Sequence, residues 1–96
     1  MIKLEVTRQA GEDPLAFEVV VGGDSRRTRH AVTLAPADFD RLAGAATPER
    51  CIEAAFRFLL DREPRESILR RFDISVISTY FPDFERELPR YLAREA

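Results

Sequence analysis

Residues 15–34 read LAFEVVVGGDSRRTRHAVTL. Leu15, Phe17, Val19 and Val21 alternate with Ala16, Glu18 and Val20, the period of a strand with one buried face. Gly22-Gly23-Asp24-Ser25 breaks the pattern with turn chemistry, because glycine accepts positive φ without steric cost. Alternation resumes at about Thr28 and sets His30, Val32 and Leu34 on one side. The stretch predicts two strands about a tight turn, with a shared apolar face that another layer must cover.

Upstream, Ile2, Leu4 and Val6 alternate with Lys3, Glu5 and Thr7, a further strand, and Gly11-Glu12-Asp13-Pro14 has the composition of the connecting turn. The N-terminal third therefore predicts a three-stranded antiparallel β-meander over about residues 2–34. Downstream the period changes to that of helices. Pro36, which has no amide hydrogen to leave unpaired, suits the first turn of a short helix through Ala43, ended by Gly44. Thr47-Pro48-Glu49 supplies a hydroxyl cap, a proline at the first helical position and an acid near the positive helix end. That helix should run to about Arg62, with Cys51, Ile52, Ala55, Phe56, Leu59 and Leu60 toward the sheet, and stop at Glu63-Pro64.

The last third predicts three short helices. One covers Arg65 to Phe72 with Ile68, Leu69 and Phe72 inward. A further turn or two, capped by Asp73, reaches Tyr80. The last opens at Pro82 and carries a stripe of Phe84, Leu88, Tyr91 and Leu92. Pro89 lies inside that stripe and should kink or end the helix near Leu88, since it removes a hydrogen bond and clashes with the preceding turn. Strands first and helices after give a single α+β domain over 1–96, with about four helices (about residues 36–94) on one face of the meander.

The 96 residues carry a net charge of -2, and 14 of the 15 basic residues are arginine. A free-standing nucleic-acid module draws most of its affinity from a basic surplus, which this chain lacks overall. Cys51 stands alone, so no internal disulfide forms, and a reducing, cytoplasmic setting is expected. No apolar run approaches the roughly 18 residues of a membrane span. One histidine and one cysteine do not make a zinc site, and Gly22-Gly23 lacks the lysine, spacing and following helix of a phosphate loop. A Cys51–His30 pair would need the helix start to meet the strand, and a packed cysteine with a packed or rim histidine is the simpler expectation. No catalytic residue, metal ligand or cofactor is assigned.

Residues 66–85, ESILRRFDISVISTYFPDFE, concentrate apolar and aromatic side chains without catalytic groups. Ile74, Ile77, Tyr80, Phe81 and Phe84 exceed what one short helix can direct into a small core, so they are the candidate contact residues of a non-enzymatic protein-binding surface, for a protein partner or a second copy. The alternative is nucleic-acid or phosphate contact through Arg26, Arg27 and Arg29 at the hairpin, with Arg70 and Arg71. A degenerate helix-turn-helix across 67–81 belongs to the same alternative, although its second helix would be short and lacks base-reading side chains.

The motif Glu66-Ser67-Ile68-Leu69, then Phe72-Asp73, Val76-Ile77 and Tyr80-Phe81-Pro82, resembles the closing segment of small bacterial proteins of uncharacterised function. The resemblance implies a free-standing bacterial domain. That family has no assigned activity, so no functional residue is carried over.

Overall fold

In the computed structural model, which describes residues 2–23 and 25–94, the chain opens with three consecutive strands, β1 (Lys3–Glu12), β2 (Leu15–Gly22) and β3 (Arg27–Leu34). They pair antiparallel in sequence order, Val6 opposite Val19 and Phe17 opposite Val32. The alternation in the sequence becomes the two faces of the sheet. Phe17, Val19, Val21, His30, Val32 and Leu34 are buried on one, while Arg27, Arg29 and Ala31 are exposed on the other. The β1–β2 register shifts between Arg8 and Glu12. Gly11 there has a φ of 115°, a conformation that strains any residue with a Cβ.

The helices follow: α1 (Pro36–Leu42), α2 (Pro48–Leu60), α3 (Ile77–Tyr80) and α4 (Phe84–Leu92). Thr47 caps α2 as its sequence predicts, its hydroxyl accepting from the Arg50 N–H at 3.1 Å. Thr47→Ala is expected to lower stability by about 1 kcal/mol in equilibrium urea unfolding, the usual cost of a lost N-cap. The buried arc of α2 is wider than the predicted face, because Ala54 and Phe58 join Cys51, Ile52, Ala55, Phe56 and Leu59. Two sets of neighbours explain the width. Phe56 packs on His30 and Phe72, with centroids 5.4 and 6.0 Å away. Phe58 meets Phe84 and Tyr91 of α4 at 5.0 and 5.8 Å. The helix thus lies between the sheet and α4.

Two expectations are corrected. The segment expected to be a helix from Arg65 to Phe72 is a 3-10 turn at Arg65–Ser67 followed by a fourth strand, β4 (Arg71–Asp73). It runs parallel to β3, Val32 opposite Phe72, so the meander is part of a four-stranded mixed sheet of order β1-β2-β3-β4. The spacing of Ile68, Leu69 and Phe72 mimics a helix, but the backbone finds its partners on β3 instead. Ala31 N–H donates to the Arg70 carbonyl at 2.7 Å. The Thr33 hydroxyl donates to Asp73 Oδ1 at 2.5 Å, and Asp73 Oδ2 accepts from the Ser75 N–H to cap a 3-10 turn at Ile74–Val76 that leads into α3. Burial pushes the Asp73 carboxyl up, but the bonds from Thr33 and Ser75 more than offset this and hold it below its ordinary value.

The second correction concerns Pro89. The last helix starts at Phe84, not Pro82, and continues through Pro89 to Leu92. Tertiary contacts outweigh the lost backbone bond. Leu88 and Tyr91 are buried, Tyr91 Oη donates to Asp61 Oδ2 at 2.6 Å, and the Arg50 guanidinium donates to the carbonyls of Tyr91, Leu92 and Arg94. A cation on the last carbonyls complements the negative end of the helix. Arg41 of α1 ties the other end of α4 through Glu85 at 2.8 Å.

Candidate functional site

Of the five candidate contact residues, Ile74, Ile77 and Phe84 are buried in the core, and this corrects their assignment to a surface. The 3-10 turn, α3 and α4 wind tightly enough to direct these three side chains inward together. Phe81 is half-buried, edge-on to Phe58 at 5.9 Å. Tyr80 alone is freely presented, with 66% of its surface exposed.

Tyr80 and Phe81 nonetheless border a site. An apolar groove of about 230 Å³ runs between the end of α2, the Ser67–Leu69 stretch and α3. Leu59, Ile68, Phe72 and Ile77 form its floor and sides, Leu69, Val76 and Tyr80 its rim. Leu69 is 48% exposed here, the reverse of the inward position that a helical period gives it. Residues 68–70 form a non-helical link between the 3-10 turn and β4, so Ile68 is buried while Leu69 stays at the rim. Glu63 also lines the groove, and burial raises its carboxyl above the ordinary value.

The arginines sort differently from their order in the chain. A second, polar cavity of about 350 Å³ is lined by Arg27, Arg29, Arg65 and Arg70, together with Thr28, His30, Glu66 and Ile68. Arg27, Arg29 and Arg70 are three of the five candidate phosphate contacts, brought together from β3 and from the residue that precedes β4. Arg26 instead pairs with Glu66 at 3.5 Å, and Arg71 lies on β4 opposite Ala31. Arg29 also reaches Glu18 at 3.6 Å, an exposed pair of small energetic weight. Arg65 is not among the residues that the sequence singles out, because its expected place is the start of a helix. No local pattern marks it, since its place follows from the turn that precedes β4. Residues 68–81 contain a strand, a 3-10 turn and the four-residue α3, so no second helix of recognition length is present there.

Cys51 and His30 are both buried. Burial pushes the Cys51 thiol up to about 11, away from the thiolate a nucleophile needs. The His30 ring is 2.8 Å from the Leu69 carbonyl through Nδ1 and 2.9 Å from the Thr28 hydroxyl through Nε2. A carbonyl only accepts, so Nδ1 carries the proton and Nε2 accepts from Thr28. Burial holds this imidazole below its ordinary value, with the Arg70 charge adding to the shift and the bond to Leu69 opposing it. Among the described residues no cluster of three His, Cys, Asp or Glu could hold a metal, and no helix is long and apolar enough to cross a membrane.

No protein-family model, no curated protein and no solved structure matches the chain.

Proposed function

We propose that this protein is a non-enzymatic binding module whose apolar groove receives an apolar side chain of a partner protein. One observation carries the reading. Of the three exposed large hydrophobic residues among those described, two, Leu69 and Tyr80, stand on the rim of the same groove, and the third, Ile2, precedes β1. Scattered exposed apolar residues are ordinary, whereas a pair flanking an apolar cleft is the arrangement of a docking site. Tyrosine suits such a rim because it offers a large contact area, a polar tip and few rotors to immobilise. Leu69 and Tyr80 are 48% and 66% exposed, so covering what remains open contributes a gross gain of about 2–3 kcal/mol before the cost of association. A reversible complex is therefore expected.

Leu69→Asp and Tyr80→Asp test the reading, since both side chains are exposed and neither change touches the core. Each variant is expected to keep the melting temperature of the parent and to lose at least about tenfold in affinity for a protein captured by the parent, a change of ~1.4 kcal/mol. Sedimentation of the parent alone reports whether that partner is a second copy. Equal capture by parent and variants, all properly folded, would remove the groove from the function.

A further inference from the structure

The arginine-lined cavity exists because β4 is short. Strand β4 begins at Arg71, opposite Ala31, and the chain leaves the sheet at Arg70. Ala31 gives its N–H to the β4 side. Residues along an antiparallel strand alternate in the side to which their backbone groups point, so Arg29 and Arg27 direct their N–H and C=O groups to this same side, where β4 no longer runs. The gap is walled by the 3-10 turn carrying Arg65 and Glu66 and by Ile68 and Arg70.

Its charge is one-sided. Four guanidinium groups and a single carboxylate line it. Adding the paired neighbours Arg26 and Glu18 gives five cations against two anions, a surplus of three. Counting Asp24 as a further anion, although it lies outside the described residues, still leaves two. The surplus is gathered into one concavity of a chain whose net charge is -2. The Arg65 side chain is only 15% exposed, and its Nε is buried without a hydrogen-bond partner. Glu66 Oε2 approaches that nitrogen at 3.5 Å but outside hydrogen-bond geometry. That nitrogen is closed to solvent, so a ligand would meet Arg65 only through the part of its side chain that remains exposed.

We infer that this cavity is a binding site for a phosphate monoester, held by Arg65, Arg70 and the Arg27–Arg29 edge of β3. A dianion matches the charge surplus, and tetrahedral oxygens match several guanidinium forks converging on one point. The volume of about 350 Å³ exceeds that of a phosphoryl group alone, which leaves room for a small organic body such as a phosphorylated sugar. A nucleic-acid strand fits less well. It gains affinity from many phosphates along a basic track, and the positive groups here form a single cluster.

Calorimetric titration of the full chain in buffer free of phosphate and sulfate tests the site, with inorganic phosphate, ribose 5-phosphate and a short single-stranded oligodeoxythymidine as probes. Saturable binding of inorganic phosphate and of ribose 5-phosphate is expected. Arg70→Gln and Arg65→Gln should each weaken it at least about tenfold, the loss of a charge-assisted contact. Arg70 is exposed, so its replacement leaves folding undisturbed and keeps the test independent of the half-buried Arg65. Arg86→Gln on α4, outside the cavity, should change nothing. The inference is overturned if neither phosphate binds saturably, or if Arg86→Gln weakens binding as much as Arg70→Gln. It is also overturned if the oligonucleotide binds with steep salt dependence while ribose 5-phosphate does not, which would make the cluster a nucleic-acid contact.

Discussion

Phe58→Ala is expected to remove about 3–5 kcal/mol of stability, the range for truncating a fully buried phenylalanine. Phe58 is the hub on which α4 is seated. Its ring stands edge-on to Phe81, Phe84 and Tyr91, and the Arg62 guanidinium lies 3.7 Å above it. Edge-to-face pairs and a cation over the ring add to the burial itself. A domain of this length has a total stability of about 5–14 kcal/mol, so the loss is a large share of it. The melting temperature should fall by roughly 15–30 °C. Phe58→Leu keeps most of the volume but none of the ring contacts, so it should cost less than the alanine variant without being neutral. Equal losses in the two variants, measured by urea unfolding, would mean that the ring contacts rather than the filled volume seat α4, and a loss below about 1 kcal/mol in the alanine variant would mean that α4 is not seated on Phe58. Phe81 borders the apolar groove and rests on Phe58, so the alanine variant should also weaken docking. The exposed changes at Leu69 and Tyr80 separate that indirect effect from a direct one.

His30→Ala is the second large effect, a loss of roughly 2–4 kcal/mol from the cavity beside Phe56 and from the Leu69 carbonyl left without its donor. The same residue gives the fold a pH dependence of known sign. Folded His30 is neutral and its imidazole sits below the ordinary value of 6.5, while the unfolded chain titrates near that value. The unfolded state therefore binds more protons as the pH drops below about 6.5. The stabilising contribution of neutral His30 is complete above that pH and is lost as the pH falls toward the folded value. Unfolding midpoints at pH 8 and at pH 5.5 should differ more for the parent than for His30→Gln. Asp73 acts in the same direction but only at lower pH, since its folded value lies below the ordinary 3.8. A parent whose stability is flat across this window would contradict the buried neutral ring.

What could be read without the structure divides along the range of the interactions. Strands β1 to β3 and helix α2 are written in local alternation, turn residues and a Thr-Pro-Glu start, and each formed about where expected. Strand β4 is three residues long, and its pattern of Ile68, Leu69 and Phe72 fits a helix as well as a strand. Only Ala31 and Thr33, some forty positions away in the chain, decide between them. Pro89 shows the converse, a strong local signal overruled by Tyr91, Asp61 and Arg50. Tyr80 was legible as a candidate contact from its type. Leu69 was not, because its exposure depends on the strand that the periodicity hid. The arginines were visible as two sets, and only the short β4 explains why Arg65 joins Arg27, Arg29 and Arg70 while Arg26 and Arg71 stay apart.

The parallel seam between β3 and β4 also sets an order of events during synthesis. Thr33 and its partner Asp73 are 40 residues apart in the chain. At about 5–20 residues per second, the ribosome needs ~2–8 s to supply the second after the first. In that interval the nascent meander carries a bare β3 edge, and the apolar face with Phe17, Val19 and Val32 waits for α2. An unpaired edge beside an uncovered face is the combination that recruits other unfinished chains. Protection by a holding chaperone should therefore matter most while residues 2–34 have emerged from the ribosome and Asp73 has not, and much less once Asp73 is out.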